Sequence, residues 1–172
     1  MASADAHSKG VLGCCYVYGY GVAKDQARGL ALGRESEVAG SCFGQYVVGL
    51  CYYSGCGGIA QDYAEAVRLY RLAAAQGDAD AQFSLGVMFS NGEGVAQDYA
   101  EAVRLYSLAA AQGHANAQCS LGRMFERGKG VAQDTAEAIR WYRLAAEQGH
   151  ADAQKQLDAL LSLSRKRARR GA

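Results

Sequence analysis

The chain repeats a run of eleven residues at a fixed interval. The run AQDYAEAVRLY occupies residues 60–70 and recurs unchanged at residues 96–106, and a third version, AQDTAEAIRWY, occupies residues 132–142. The interval is 36 residues each time. A period of this length is typical of arrays of stacked helix pairs, because one short pair cannot bury its own apolar face. This repeat constrains the fold more than any other feature of the sequence.

Within one unit the apolar residues have the spacing of a helix. One face of a first helix, called helix A, carries Ala81, Leu85, Met88 and Phe89. The glycine-containing turn 91–94 ends that helix. Asp98 and Glu101 then form a predicted capping box that begins a second helix, called helix B, which Gly113 ends. The chain has no proline, which agrees with uninterrupted helices.

The self-alignment predicts an all-α chain of about four such units and a final helix. The predicted segments are a degenerate N-terminal repeat at 1–40, three repeats at 41–77, 78–113 and 114–150, a C-terminal capping helix at 151–163 and a basic disordered tail at 164–172. In the first repeat, Gly29 and Gly33 replace Ala66 and Tyr70 of the next one, so we expect its helix B to fray. His7 is expected to lie in an N-terminal tail.

The unit pattern A-x-A-Q-x-x-L-G-x-x-[YF]-x-x-G-x-G-V-x-Q-D-Y resembles the Sel-one-like repeat, a relative of the tetratricopeptide repeat. The resemblance is close over residues 78–150, good over 42–77 and weak over 5–40. It implies a right-handed α-solenoid whose A helices line a concave surface, and a non-catalytic scaffold or adaptor that binds other proteins. Disulfide-bearing members of the family carry paired cysteines across the B-to-A turn, where this chain has Ala73 and Ala81.

The variable positions of helix A are the candidates for binding a partner, because packing takes up the repeated ones. The predicted partner-binding residues are Leu50, Cys51, Tyr53, Ser54, Val87, Met88, Asn91, Arg123, Met124 and Arg127. In the first repeat the corresponding positions hold Cys14, Cys15 and Tyr18. The set changes from apolar to charged along the chain, which fits a peptide or partner helix with apolar anchors and an acidic end. The alternative is that these are ordinary exposed or half-buried helix residues.

Sulfur-containing residues occupy one position in four consecutive units. These residues are Cys15, Cys51, Met88 and Met124. Equivalent positions on stacked helices lie about 8–10 Å apart, which is too far for a shared metal ion or a disulfide. We therefore interpret the column as adaptable packing. No Ser/His/Asp or Cys/His set converges, so we expect no catalytic residue, metal or cofactor. A β-lactamase-like hydrolase, implied by resemblance to cysteine-rich bacterial members of the family, is an alternative.

Five basic residues lie close together near the C-terminus. They are Arg165, Lys166, Arg167, Arg169 and Arg170, in a chain whose net charge is +1. They could be a solvated end, a nuclear-import signal or a non-specific contact to nucleic acid. No aromatic residue lies among them to stack on bases. A nuclear or nucleic-acid-associated adaptor is therefore a further alternative. No apolar run reaches the ~20 residues that cross a bilayer, and the N-terminus lacks signal-peptide features, so we expect a cytoplasmic protein.

Overall fold

The computed structural model describes the backbone of residues 2–170 and the side chains of residues 4–163. Within this part the chain forms nine α-helices and no β-strand. The helices are α1 (Ala2–Tyr18), α2 (Gln26–Val38), α3 (Cys42–Ser54), α4 (Tyr63–Ala75), α5 (Ala79–Asn91), α6 (Tyr99–Ala111), α7 (Ala115–Arg127), α8 (Thr135–Glu147) and α9 (Ala151–Arg170). Odd-numbered helices are the A helices of the repeats, and even-numbered helices are the B helices.

The helices group into two compact units, Met1–Gln97 and Asp98–Ala172. The first unit contains α1–α5 and the second contains α6–α9. Within each unit every helix packs against the next one along the chain. Helix α1 also packs against α3, so two A helices of the first unit lie side by side. This is the arrangement that a stack of helix pairs requires.

An aspartate begins each of the helices α4, α6 and α8. The Asp62 carboxylate accepts the backbone N–H of Glu65 at 3.0 Å, and the aspartates before α6 and α8 make the same contact. The predicted capping box is only half correct, because the Glu65 carboxylate binds the guanidinium of Arg68 at 2.6 Å. The backbone N–H of Asp62 instead donates to the carbonyl of Tyr52 in helix A. That contact leaves the glutamate free to pair with arginine.

The turn from helix A to helix B depends on two glycines and a glutamine. In the third repeat Gly92 ends α5 in the left-handed conformation, with φ 75°. The Gln97 amide donates to the carbonyl of Ser90 at 2.7 Å and closes the turn. Gly94 lies so close to the backbone of Tyr63 that a Cβ atom would come within 2.6 Å of the carbonyl carbon. The turn of one repeat therefore packs on the start of helix B in the preceding repeat.

Pairs of glutamines, one exposed and one buried, connect consecutive B-to-A turns within each unit. In the first unit the Gln76 amide donates to the side-chain oxygen of Gln45 at 2.8 Å. In the second unit the Gln148 amide makes the same bond to Gln118, whose own amide donates to the carbonyl of Ala110 at 3.3 Å. Gln45 and Gln118 are buried, and buried polar groups are stable inside a protein only when their hydrogen bonds are made. They align each turn with its neighbour.

Helix α2 is complete, and the expected fraying is not observed. It has the same 13 residues as the other B helices. Its glycines fit close approaches: a Cβ atom on Gly29 would come within 2.6 Å of Val17, and one on Gly33 within 2.7 Å of Val47. The valines of α1 and α3 thus occupy the space of the missing side chains. Tertiary packing outweighs the low helix propensity of glycine here.

The N-terminal residues form a packed helix where a tail was predicted. The ring of His7 contacts Phe43 edge-on, with ring centroids 4.3 Å apart. The hydroxyl of Ser36 donates to the carbonyl of Ala6 at 2.6 Å, so α2 is bonded directly to α1. At the other end, α9 continues to Arg170, beyond the predicted boundary at residue 163. Its leucines, alanines and arginines all favour helix.

Candidate functional site

The ten predicted partner-binding residues differ in burial and fall into two groups. Cys51 and Met88 have no exposed surface, and Met124 is 7% exposed. These three side chains belong to the core and offer a partner little or no surface, which agrees with a role in packing. The remaining seven are accessible: Leu50, Tyr53 and Val87 are half-buried, and Ser54, Asn91, Arg123 and Arg127 are exposed.

A tyrosine cluster lies on the A helices of the first unit. The hydroxyls of Tyr18 on α1 and Tyr46 on α3 are 3.1 Å apart and hydrogen-bonded. The ring of Tyr18 stacks on that of Tyr20, with centroids 5.2 Å apart and planes 22° apart. Tyr46 in turn contacts the buried Tyr70 of α4 at 5.7 Å. Tyr18 is 41% exposed and Tyr20 is 67% exposed. The cluster therefore joins an exposed aromatic pair to buried tyrosines.

The polar groups of this cluster stay protonated near neutral pH. Burial raises the pKa of the Tyr46 hydroxyl, and it raises the pKa of the neighbouring Cys14 thiol to about 12. The negative charge of Asp80 raises both pKa values further. A nucleophilic cysteine needs its thiolate form, which Cys14 lacks at neutral pH. The cluster thus presents neutral hydroxyl and thiol groups in a mildly negative field.

Tyr53 lies at the end of α3, beside the start of α4. Its ring contacts that of Tyr63, with centroids 5.5 Å apart. The Gln61 amide bridges them, because it donates to the carbonyl of Tyr53 at 2.7 Å and to the hydroxyl of Tyr63 at 3.1 Å. Burial and the Glu93 carboxylate raise the pKa of the Tyr53 hydroxyl. Tyr53 is therefore a fixed, half-buried aromatic group at the end of helix A in the second repeat.

In the second unit, helix α7 presents two arginines and a bonded carboxylate. Arg123 lies beside Cys119, where its charge opposes the rise in thiol pKa that burial causes. The hydroxyl of Tyr142 donates to the Glu126 carboxylate at 2.6 Å. Burial and this carboxylate raise the pKa of the Tyr142 hydroxyl. Arg127 lies in the last turn of α7 and is exposed. This surface is more charged than the tyrosine cluster.

The two histidines at the B-to-A turns are turn residues, as predicted. The Nδ1 atom of His114 accepts the backbone N–H of Ala117 at 3.1 Å, and His150 accepts that of Ala153 at 3.2 Å. Among the described residues, no group of three or more His, Cys, Asp or Glu side chains is arranged to hold a metal ion. No helix in that same part of the chain is long and apolar enough to cross a membrane.

Tyr20 and Tyr46 are not among the partner-binding residues predicted from the sequence. They occupy different positions within their repeats, so comparing equivalent positions does not bring them together. Eight of the chain's eleven tyrosines precede residue 71, and this enrichment was the only signal in the sequence.

Comparisons with known proteins agree with the repeat architecture. The model of the Sel1 repeat matches residues 11–35, 43–78, 79–114 and 115–150. No curated protein matches the chain. Among solved structures, c5321, a protective antigen of uropathogenic Escherichia coli strains with an SLR fold, is 34% identical with a TM-score of 0.81. The alignment covers 92% of this chain and 34% of c5321, so this chain spans about a third of that protein.

Two further structures support the same fold. A Sel1 repeat protein of Oxalobacter formigenes is 32% identical with a TM-score of 0.82, over 93% of this chain and 65% of that one. The cysteine-rich protein B of Helicobacter pylori is 22% identical with a TM-score of 0.61, over 77% of this chain and 98% of that one, and shows likeness in fold alone. The predicted all-α solenoid of stacked antiparallel helix pairs is confirmed.

Proposed function

Because the chain belongs to the Sel1 repeat family, we propose that it binds a peptide segment of a partner protein on the helix-A surface of its first unit. Proteins of this family are generally scaffolds for protein interactions, without catalysis of their own. The proposed surface consists of the exposed pair Tyr18 and Tyr20, together with the half-buried Leu50 and Tyr53 of α3 and Val87 of α5. We call it the tyrosine surface.

The stacked and hydrogen-bonded state of Tyr18 carries this proposal. Tyrosine is among the residues enriched at the energetic centres of protein interfaces. A side chain that is already ordered loses little conformational entropy when a partner binds. Tyr18 is held by its ring contact to Tyr20 and by its hydroxyl bond to Tyr46, yet two-fifths of its surface is exposed. Large aromatic side chains that are both fixed and exposed are suited to act as anchors for a peptide.

In the second unit, the exposed Arg123 and Arg127 provide a separate candidate surface. Their guanidinium groups suit carboxylates of a partner, because arginine binds carboxylates through two parallel hydrogen bonds. The proposal of an acidic contact therefore applies to helix α7 alone. The tyrosine surface lies in the field of Asp80, and we expect it to take apolar or basic residues.

The alternatives have weaker support. The β-lactamase-like hydrolase needs an activated nucleophile, and the pKa of about 12 keeps the Cys14 thiol protonated. The nuclear or nucleic-acid-associated adaptor depends on the side chains of Arg165–Arg170, which lie outside the described side chains. The cytoplasmic location stays a prediction from the sequence.

Binding measurements with purified partners test the proposal. Proteins captured from the source cells by the intact chain are purified, and the Kd of each is measured against the wild type and Tyr20→Ser. We expect Tyr20→Ser to weaken binding by about tenfold or more, with an unchanged Tm. The matched control is Leu72→Ser, at an exposed apolar residue of helix B. Equal affinity of Tyr20→Ser and the wild type would refute the proposed surface.

A further inference from the structure

Two cysteines face each other across the turn that ends α3. Gly55 ends the helix in the left-handed conformation, with φ 64° and ψ 42°. The chain therefore turns back, and the backbone N–H of Cys56 donates to the carbonyl of Cys51 at 3.0 Å. In this type of helix end, a contact between the side chains of the two bonded residues is common. After burial, the neighbouring Cys56 thiol is the largest cause that raises the pKa of the Cys51 thiol, so the two thiols lie close enough to influence each other.

The backbone bond fixes a separation that suits a disulfide. With standard backbone dimensions, an N–H···O bond of this length places the Cα atoms about 5–6 Å apart. Disulfides join Cα atoms that are usually about 4.4–6.8 Å apart. Both side chains lie on the inner side of the turn, where Cys51 has no exposed surface and Cys56 is 7% exposed. Both thiols are therefore shielded from solvent at the same turn.

The turn has this geometry whether or not cysteines occupy it. The same backbone bond joins the equivalent pairs in other repeats: Tyr20 to Cys15 at 3.0 Å, Glu93 to Met88 at 3.0 Å, and Lys129 to Met124 at 3.1 Å. The second repeat alone places a cysteine at both positions. The pair is thus held in position by the repeat fold, independently of thiol chemistry. Forming a bond between the sulfur atoms requires no rearrangement of the helices.

We propose that Cys51 and Cys56 are a redox modification site that forms a reversible disulfide by exchange with a low-molecular-weight disulfide such as oxidised glutathione. Cys56 is the more exposed residue and reacts first: its thiolate attacks one glutathione sulfur, which breaks the glutathione disulfide and releases one glutathione thiolate. The Cys51 thiolate then attacks Cys56 Sγ and releases the second glutathione. The protein loses two electrons and two protons, and the oxidised glutathione gains both to become two thiols.

The disulfide would rigidify the turn after α3, which contacts helix α2 of the first repeat. Gly57 follows Cys56 directly and lies so close to α2 that a Cβ atom would come within 2.9 Å of the Gln26 carbonyl oxygen. Tyr53 of the tyrosine surface belongs to the last turn of α3. Oxidation should therefore restrict the motion of the end of α3, which carries Tyr53, and of the turn that contacts α2. Burial raises the pKa of the Cys51 thiol, so the second exchange step should accelerate as the pH rises.

Disulfide mapping under controlled redox conditions tests the proposal. The intact protein is equilibrated in glutathione buffers of increasing oxidised fraction, in one arm as the folded protein and in another by refolding from urea in the same buffers. Free thiols are then alkylated, and the linked peptides are identified by mass spectrometry. We expect the Cys51–Cys56 link to dominate in the refolded arm and to form more slowly in the folded arm. The link should disappear on addition of a dithiol reductant.

Variants separate this pair from the other thiols. Cys56→Ser should abolish the link without a new disulfide replacing it, whereas Cys42→Ser, a matched change at the start of the same helix, should leave it intact. Oxidation should raise the Tm and slow hydrogen exchange in the turn 55–59 of the wild type and Cys42→Ser, and do neither in Cys56→Ser. The proposal is overturned if Cys51 and Cys56 stay reduced in both arms while other cysteines are oxidised. Random pairing among all six cysteines would also overturn it.

Discussion

The ring of Tyr142 lies against the backbone of Gly122, where a Cβ atom would come within 2.8 Å of the ring carbon Cδ1. Tyr70 and Gly49 have the same relationship in the first unit, at 2.9 Å. In both cases the glycine, which follows a valine or a leucine, makes room for the tyrosine of helix B. This contact explains why both residues recur with the period of the repeat.

Gly122→Ala is expected to destabilise the protein, against the usual effect of this change. In an open helix the change would stabilise by up to about 1 kcal/mol, because alanine has the higher helix propensity. Here the methyl group meets a fully buried ring, and overpacking of this kind costs about 1–3 kcal/mol. Urea unfolding measures the result. A free energy of unfolding equal to or above that of the wild type would contradict the contact.

Tyr142→Phe is expected to lower the free energy of unfolding by about 1–2 kcal/mol. The change keeps the ring but removes the hydroxyl that donates to the Glu126 carboxylate at 2.6 Å, and that carboxylate is left without this donor. The control is Tyr99→Phe, which loses an exposed contact to Lys129 at 3.2 Å and should cost less than about 0.5 kcal/mol. Thermal unfolding of both variants in parallel measures the difference. Equal losses of unfolding free energy in the two variants would show that the bond from Tyr142 to Glu126 stabilises the protein no more than the exposed contact does.

Stability should decline in alkaline solution, and Cys14 should account for part of the decline. The folded state raises the pKa of this thiol from 9.0 to about 12, chiefly by burial. A group whose pKa is raised on folding stabilises the protein below its unfolded pKa and loses that contribution as the pH rises through the folded pKa. The difference in unfolding free energy between the wild type and Cys14→Ala should therefore fall between pH 9 and about 12. A difference independent of pH over this range would contradict the burial of the thiol.

The double change Arg123→Glu and Arg127→Glu tests the candidate surface of the second unit. We expect the double change to weaken the binding of an acidic partner about tenfold or more, because attraction between opposite charges becomes repulsion between like charges. The Tm should not fall, since both side chains are exposed. Arg143→Glu, at an exposed position of α8, is the matched control and should leave binding unchanged. Isothermal titration with a purified partner measures the three affinities. Unchanged binding by the double variant would exclude α7 as the contact.

The helices were predictable from the sequence, because each depends on local spacing and on signals within a few residues. Helices α3–α8 follow from their apolar periodicity and the glycines that end them, and α4, α6 and α8 follow also from their aspartate caps. Helix α2 was expected to fray, because the sequence shows Gly29 and Gly33 where the next repeat has Ala66 and Tyr70, and glycine has a low helix propensity. The valines of α1 and α3 that fill the resulting space are distant in sequence. Tertiary contacts of this kind leave no local signal.

The candidate surface was only partly predictable for the same reason. Equivalent positions identified Tyr18, Leu50 and Val87, but they also selected Cys51 and Met88, whose side chains point into the core. Position within a repeat does not distinguish the side of a helix that a neighbouring helix covers. The contact between Tyr18 and Tyr46 joins non-equivalent positions on α1 and α3, so it becomes visible only when those helices are placed side by side.

The most direct test of the tyrosine surface is hydrogen exchange of the intact chain with and without a purified partner. Binding there should slow exchange in the segments that carry Tyr18, Tyr20 and Tyr53, at the ends of α1 and α3, and should leave the exposed side of α4 around Leu72 unchanged. Protection confined to α4, with the ends of α1 and α3 exchanging as in the free protein, would contradict the proposed role of the tyrosine surface.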